Sequence, residues 1–76
     1  MIYCILADGF EEIEALTPID MLRRAGLSVT VMTLPGNTAA RAAVGAHQIT
    51  VLGDAILSQD VPDDIDMLIL PGGMPG

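Results

Sequence analysis

The sequence has few aromatic residues, few basic residues and a single cysteine. Its 76 residues include one Tyr, one Phe and no Trp, so the hydrophobic half of the composition is almost entirely aliphatic. Three arginines and no lysine stand against ten acidic residues, and the net charge is -7. A charge of this sign disfavours nucleic acids and anionic membranes as binding partners.

The single cysteine, Cys4, leaves no possibility of an internal disulfide and favours a reducing, cytoplasmic setting. Because Cys4 falls in the middle of an apolar run, we expect it to be a core residue rather than a nucleophile. The first residues lack the basic leader of a signal peptide. No apolar stretch approaches the roughly 20 residues that a membrane span requires.

Sequence motifs for common cofactors are also missing. The segment "ADGFEE", residues 7–12, lacks the glycine spacing of a dinucleotide-binding turn, and no phosphate-binding loop with its lysine is found. The acidic residues between 60 and 66 lack the regular spacing of a calcium loop. The sequence therefore predicts no cofactor and no metal.

Three segments predict β-strands. Residues 2–7 and 67–70 are unbroken apolar runs, and residues 27–34 read "LSVTVMTL". Short unbroken runs rich in Ile, Val and Leu are typical of strands that are buried on both faces, as in parallel sheets.

A helix is predicted between the first two strands. The segment "EEIEALTPIDMLRR", residues 11–24, follows Asp8 and begins with Glu11, and the spacing of these two acids resembles a capping box. Two arginines lie in its last turn, and Gly26 is expected to end it.

The rest of the chain is less regular. Residues 42–52, "AAVGAHQITVL", predict a small hairpin or bent strand around Gly45, and residues 53–66 predict a loop with at most one helical turn. The order strand, helix, strand, excursion, strand is typical of the start of a doubly wound α/β fold. Because one helix covers only one face of such a sheet, we expect residues 1–76 to be the N-terminal segment of a larger single domain.

The helix carries an acidic residue, Glu14, at an unusual position. A helical wheel that starts at Phe10 places Glu14 inside a broad apolar arc, and it places Glu12 on the polar side. Burial raises the pKa of a carboxyl, and Pro18 cannot donate to the Glu14 carbonyl. Either Glu14 is a neutral buried acid at the sheet edge where ligands bind, or its side chain reaches the surface past Ala15.

Two glycines follow the last predicted strand. Backbone N–H groups at Gly72 and Gly73 can bind an anion or oxyanion at the start of a following helix, although a tight turn explains them equally well. His47 lies in the predicted hairpin and is either a surface residue or a pocket residue. Ile13 and Leu16, on the polar side of the helix, are either ordinary exposed residues or part of a subunit interface.

The segments "ILADGFEEIEALTPIDMLRRAGLSVTV" and "DMLILPGG" resemble the ThiJ/PfpI superfamily, in the branch of the protein deglycases and their bacterial relatives. The resemblance covers nearly the whole chain. It implies a flavodoxin-like domain whose nucleophilic cysteine lies beyond Gly76. It also implies that Glu14 is the acid beside that cysteine, that Gly72 and Gly73 form the oxyanion side of the pocket, and that a homodimer forms through the first helix.

One departure from the family pattern concerns His47. Relatives often carry a Cys-Ser-Arg segment where this chain has Gly45, Ala46 and His47. Either His47 replaces the basic group near the pocket, or the substrate differs.

The resemblance implies a cysteine-dependent hydrolase or lyase of the glyoxalase or deglycase kind. Its substrates would be small reactive carbonyls or modified protein side chains, and it would need no cofactor. Two alternatives within the family are a redox-sensing or chaperone-like stress protein and an intracellular peptidase. A flavodoxin-like binder without catalysis is a further alternative.

Overall fold

The computed structural model describes residues 1–58 and 64–73. This part of the chain contains β1 (Ile2–Leu6), α1 (Glu12–Arg24), β2 (Val29–Thr33), β3 (Ala42–Val44), β4 (Thr50–Leu52), β5 (Ala55–Ile56) and β6 (Met67–Ile69). None of its helices is long and apolar enough to cross a membrane.

A four-stranded parallel sheet forms the centre of the molecule. β1 pairs with β2 on one side and β6 on the other, and Cys4 lies opposite both Val31 and Ile69. β5 continues the sheet beyond β2, which gives the order β5-β2-β1-β6. Parallel neighbours require a crossover connection, and α1 supplies it between β1 and β2. The predicted α/β class with a mostly parallel sheet is confirmed.

The hydrophobic core lies between α1 and one face of the sheet. Ile2, Cys4 and Leu6 alternate along β1 and therefore point to the same face, where Ala15 and Ile19 of α1 belong to the same cluster. Cys4 is fully buried, and desolvation raises the pKa of its thiol to about 11. The prediction that Cys4 is a core residue is confirmed.

The helix begins differently from the capping box that the sequence predicted. Its N-cap is Glu11, whose side chain accepts a hydrogen bond from Ile13 N at 3.0 Å. Asp8 does not cap α1, because the turn at Gly9 and Phe10 separates it from the first helical residue. Its carboxylate accepts instead from Val44 N at 2.9 Å. The helix is followed, as expected, by Gly26 with φ of 86°.

The excursion between β2 and β6 contains two small features. β3 and β4 form an antiparallel pair from Ala42 opposite Leu52 to Val44 opposite Thr50, so the predicted hairpin around Gly45 is confirmed. β5 was not predicted, because a two-residue strand has no readable periodicity. Asp54 holds it at the sheet edge, accepting from Val31 N at 2.8 Å and donating its own N–H to Val31 O at 2.7 Å. Residues 59–63 of the predicted loop lie outside the described residues.

Leu6→Ala is expected to lower the free energy of unfolding by about 2–5 kcal/mol, since it deletes a fully buried side chain from the core. Leu52→Ala is the matched control, because Leu52 is 72% exposed and its truncation should change stability by less than about 0.5 kcal/mol. Urea denaturation measures both. Equal losses in the two variants would contradict the position of the core.

Candidate functional site

A cavity opens at the carboxyl ends of the central strands. Its volume is about 350 Å³. Its lining residues come from the ends of β1, β2 and β6 and from the loops that follow them: Ile5, Ala7, Asp8, Gly9, Phe10, Leu34, Leu70, Pro71, Gly72 and Gly73. In open α/β sheets this is the edge at which ligands bind.

The glycine pair after β6 packs tightly against the loop after β1. Glu11 N donates to Gly72 O at 2.7 Å, and Phe10 and Gly73 form an antiparallel bridge. Gly73 has φ of 154°, and a Cβ at this position would collide with the Gly9 carbonyl oxygen and lie 2.7 Å from the Phe10 Cα. Gly73 is therefore required both by its backbone conformation and by the close approach of the two loops.

Glu14 contacts this glycine pair. Its Oε1 accepts a hydrogen bond from Gly72 N at 2.9 Å, so the acid that the sequence singled out contacts a glycine that lines the cavity. Of the two alternatives that the sequence left open for Glu14, the structure supports the second, because the side chain is exposed. The predicted apolar arc extended past Glu14 because it included Phe10, which precedes the helix, and Met21, which is exposed.

The buried acid of the helix is Glu12, which the wheel placed on the polar side. Its side chain is 6% exposed. Glu12, Ala15, Ile19 and Leu22 are spaced three, four and three residues apart, and they form the stripe of α1 that faces the rest of the molecule. On any wheel of 100° per residue Glu12 falls about 20° from Ile19, beside the apolar arc, so its burial could have been found from the sequence.

The Glu12 carboxylate binds the turn between β3 and β4. One oxygen lies 2.7 Å from Nδ1 of His47, and the other accepts from His47 N at 2.7 Å and from Ile49 N at 3.4 Å. A Cβ at Gly45 would collide with this carboxylate and would lie 2.7 Å from the Glu12 Cγ. Only glycine at this position leaves room for the buried acid.

These contacts shift the acidity of both partners. Burial alone would raise the pKa of Glu12, but hydrogen bonds from the His47 ring and from the backbone N–H groups of Glu12, His47 and Ile49 outweigh it and lower the pKa to about 2. The hydrogen bond and charge of Glu12, and then the charge of Glu11, raise the pKa of His47. Glu12 is therefore a buried carboxylate that stays charged, and it favours the protonated form of its exposed partner His47.

His47 thus points to Glu12 rather than into the cavity. Oxygen and nitrogen atoms of Glu11, Glu12 and His47 lie within 4.8 Å of one another. Both Glu12 oxygens are already hydrogen-bonded, and the positive end of the helix dipole disfavours a cation at this point. We therefore assign no metal to this cluster.

A second polar network, which the sequence analysis missed, shapes the cavity wall at Asp8. Asn37 accepts from Asp8 N and donates to the carbonyl oxygens of Leu6 and Ala42, each at 3.0 Å. The Asp8 carboxylate accepts from Thr38 Oγ1 at 2.8 Å. Asn37 follows Pro35 and Gly36, a combination that predicted only a turn. Its bonds hold the loop after β2 against the end of β1.

The candidate interface residues lie on the outside of the helix. Ile13 is 74% exposed and Leu16 is 38% exposed. Their exposure is compatible with either of the roles considered from the sequence, and the interface stays a prediction.

Comparisons with known proteins agree with the resemblance seen in the sequence. A model of the DJ-1/PfpI family matches residues 1–76. The chain is 42% identical over 72 residues to protein dj-1beta of Drosophila melanogaster, an alignment that covers 95% of this chain and 37% of that protein.

Solved structures show the same relationship. Oxidized DJ-1 of Toxoplasma gondii superimposes with a TM-score of 0.86 at 33% identity, over 99% of this chain and 39% of that one. A DJ-1 superfamily protein of Salmonella typhimurium, solved as a cysteine-to-alanine mutant, gives a TM-score of 0.86 at 36% identity, with the same two coverages. The chain spans less than two fifths of the length of these relatives. The predicted flavodoxin-like fold is confirmed for their N-terminal part.

The His47 imidazole is expected to titrate with a pKa above its ordinary 6.5, and Glu12→Gln should move that pKa back towards 6.5. NMR titration of the ring measures both values. An unchanged His47 pKa in Glu12→Gln would contradict the contact.

The same pair should make the stability depend on pH. A raised His47 pKa gives stability that is fully present below pH 6.5 and is lost as the pH rises through the folded-state pKa. A lowered Glu12 pKa gives stability that is present above pH 4.5 and is lost as the pH falls towards about 2. The stability advantage of the wild type over Glu12→Gln should therefore be largest between these two ordinary values, as measured by urea denaturation across the pH range.

Proposed function

Since the chain belongs to the DJ-1/PfpI family, we propose that the protein is a cysteine-dependent hydrolase or lyase of the glyoxalase or deglycase kind. Its substrates are reactive carbonyls, either small molecules or their adducts on protein side chains. Because the chain spans less than two fifths of its relatives, the proposal concerns the whole protein, with residues 1–76 as the N-terminal segment of one domain. The nucleophilic cysteine is supplied by sequence that follows Gly76.

The contact between Glu14 and Gly72 is the observation that carries this proposal. A carboxyl that can exchange a proton and a backbone N–H that can stabilise an oxyanion lie 2.9 Å apart at the carboxyl end of β6. Gly72 lines a cavity of about 350 Å³ at the ligand-binding edge of the sheet, and Glu14 reaches that edge through its hydrogen bond to Gly72. The Glu14 oxygen occupies the place that a substrate oxygen would take on the Gly72 N–H.

The proposed reaction begins with attack of a thiolate on the carbonyl carbon. The new C–S bond sends the carbonyl electrons to oxygen, and the N–H groups of Gly72 and Gly73 stabilise the resulting oxyanion. Glu14, which becomes protonated when it takes the proton of the cysteine thiol, then donates that proton to the oxygen and is left as the carboxylate. The close packing of Gly73 on Gly9 keeps the glycine turn fixed during these steps.

The proposal includes the setting of the enzyme. The exposed apolar side chains of Ile13 and Leu16 are the proposed centre of a homodimer interface on α1. We also propose a cytoplasmic location, a reducing setting in which the buried Cys4 and the reacting cysteine both remain thiols. No cofactor takes part in the proposed reaction.

A redox-sensing role is the second candidate, and one neighbour favours it. The Toxoplasma gondii structure is of an oxidized DJ-1. In this alternative the same cysteine is oxidised by peroxide, and Glu14 hydrogen-bonds the oxidised sulfur instead of a reacting thiolate. The two roles share the site and differ in whether a carbonyl is turned over.

Glu14→Gln in the whole protein is expected to lower kcat for methylglyoxal by about 10²- to 10⁴-fold, because the amide cannot transfer a proton. Asp20→Asn is the matched control. It makes the same change of charge on the same helix, where Asp20 is exposed and pairs with Arg24 at 3.0 Å, and activity should be retained.

The comparison with peroxide oxidation separates the two candidate functions. Oxidation of the cysteine, followed by mass spectrometry, should persist in Glu14→Gln if the enzyme reading is correct. If the wild type does not turn over methylglyoxal but its cysteine is oxidised stoichiometrically by peroxide, the proposed enzymatic function is wrong and the redox-sensing role is favoured.

A further inference from the structure

The turn between β3 and β4 is docked onto the segment that leads into α1. Gly9 N donates to Val44 O at 2.7 Å, and Ala46 N donates to Phe10 O at 2.8 Å. The Glu12 carboxylate adds three contacts to the same turn, at His47 and Ile49. Residues 9–12 are thus joined to the turn by both backbone and side-chain bonds.

The same segment contacts the glycine pair on its other side. Glu11 N donates to Gly72 O at 2.7 Å, Phe10 bridges to Gly73, and Glu14 accepts from Gly72 N at 2.9 Å. Residues 9–14 are therefore held between the hairpin turn and the candidate site. A displacement of the turn therefore acts on the same segment that contacts Gly72.

We propose that Glu12 is a positioning residue for the contact between Glu14 and Gly72, and that it acts through His47 and the hairpin turn. The inference rests on the proposed function only in treating Glu14 and Gly72 as the reacting groups. Glu12 and Glu14 lie about 160° apart around α1, so the hairpin turn bonds to one side of the first helical turn and Glu14 projects from the other side. Since a helical turn moves as a rigid unit, the hydrogen bonds of Glu12 to the hairpin turn determine where the Glu14 carboxyl lies.

Three features suit Glu12 to this role better than its neighbours. It is 4% exposed, both of its oxygens are engaged, and Gly45 leaves the space that it occupies. The two backbone bonds from the turn reach only Gly9 and Phe10, which precede the helix. Among the described residues, Glu12 supplies the side chain of α1 that bonds to the turn.

The charge of His47 makes this positioning sensitive to pH. Glu12 and Glu11, both at the start of α1, are the charged groups that act on the His47 ring, and His47 alone titrates within residues 45–49 of the turn. Loss of its proton weakens the ionic part of the contact with Glu12 but leaves the bonds from the His47 and Ile49 N–H groups. A rise in pH should therefore loosen the turn without unfolding it.

The test follows the Gly72 amide in the whole protein by ¹H–¹⁵N NMR during a pH titration. In the wild type its chemical shift is expected to change with the midpoint of the His47 ring. Glu12→Gln and His47→Ala should abolish that coupled change, and Asp20→Asn should keep it. The His47 side chain is 68% exposed, so His47→Ala is expected to fold even if Glu12→Gln does not. The His47→Ala variant therefore tests the coupling in either case. A Gly72 amide chemical shift that does not change with the titration of the His47 ring in the wild type would overturn the proposal.

Kinetics separate this proposal from the proposed function. Glu12→Gln is expected to lower kcat for methylglyoxal by about tenfold or more with little change in KM, and His47→Ala should remove the matching inflection from the pH profile of kcat. Coupled NMR shifts without any turnover in the wild type would mean that Glu12 positions Glu14 but the proposed reaction is wrong. Turnover that requires Glu14 but is unchanged in Glu12→Gln and His47→Ala would mean that the proposed reaction is correct and that Glu12 does not position Glu14.

Discussion

The buried carboxylate of Glu12 is the constraint on which the candidate site depends. A charged acid inside a small aliphatic molecule is tolerated only when hydrogen bonds replace water, and here His47 and the backbone of the hairpin turn do so. This requirement fixes the turn against the start of α1. Gly45 completes the arrangement, since any side chain there would occupy the space of the carboxylate.

From that fixed point the geometry continues to the cavity. The turn and the glycine pair contact residues 9–14 from two sides. Gly73 lies so close to Gly9 that a Cβ on Gly73 would not fit. The result is a polar contact, Glu14 to Gly72, at the carboxyl edge of a parallel sheet. Family membership and this geometry together support the proposed carbonyl chemistry at this edge.

Much of the fold could be predicted because its signals are local. Unbroken apolar runs gave β1 and β6, and the chain order gave a parallel sheet with α1 as the crossover. β5 could not be predicted, because Asp54 and the backbone of β2 define it rather than any pattern of its own. The site was predicted in part. Glu14 and Gly72 are in contact, but the buried acid of the helix is Glu12. Its partner His47 lies 35 residues away, and no local pattern reveals a contact at that separation.

A high-resolution crystal structure of the whole protein, in its reduced form without substrate, tests the central claim most directly. The account predicts the Glu14 carboxyl within hydrogen-bond distance of the Gly72 N–H, facing the cysteine thiol across the cavity, with Glu12 buried against the hairpin turn. A Glu14 side chain directed into bulk solvent, with the Gly72 N–H bonded elsewhere, would contradict it.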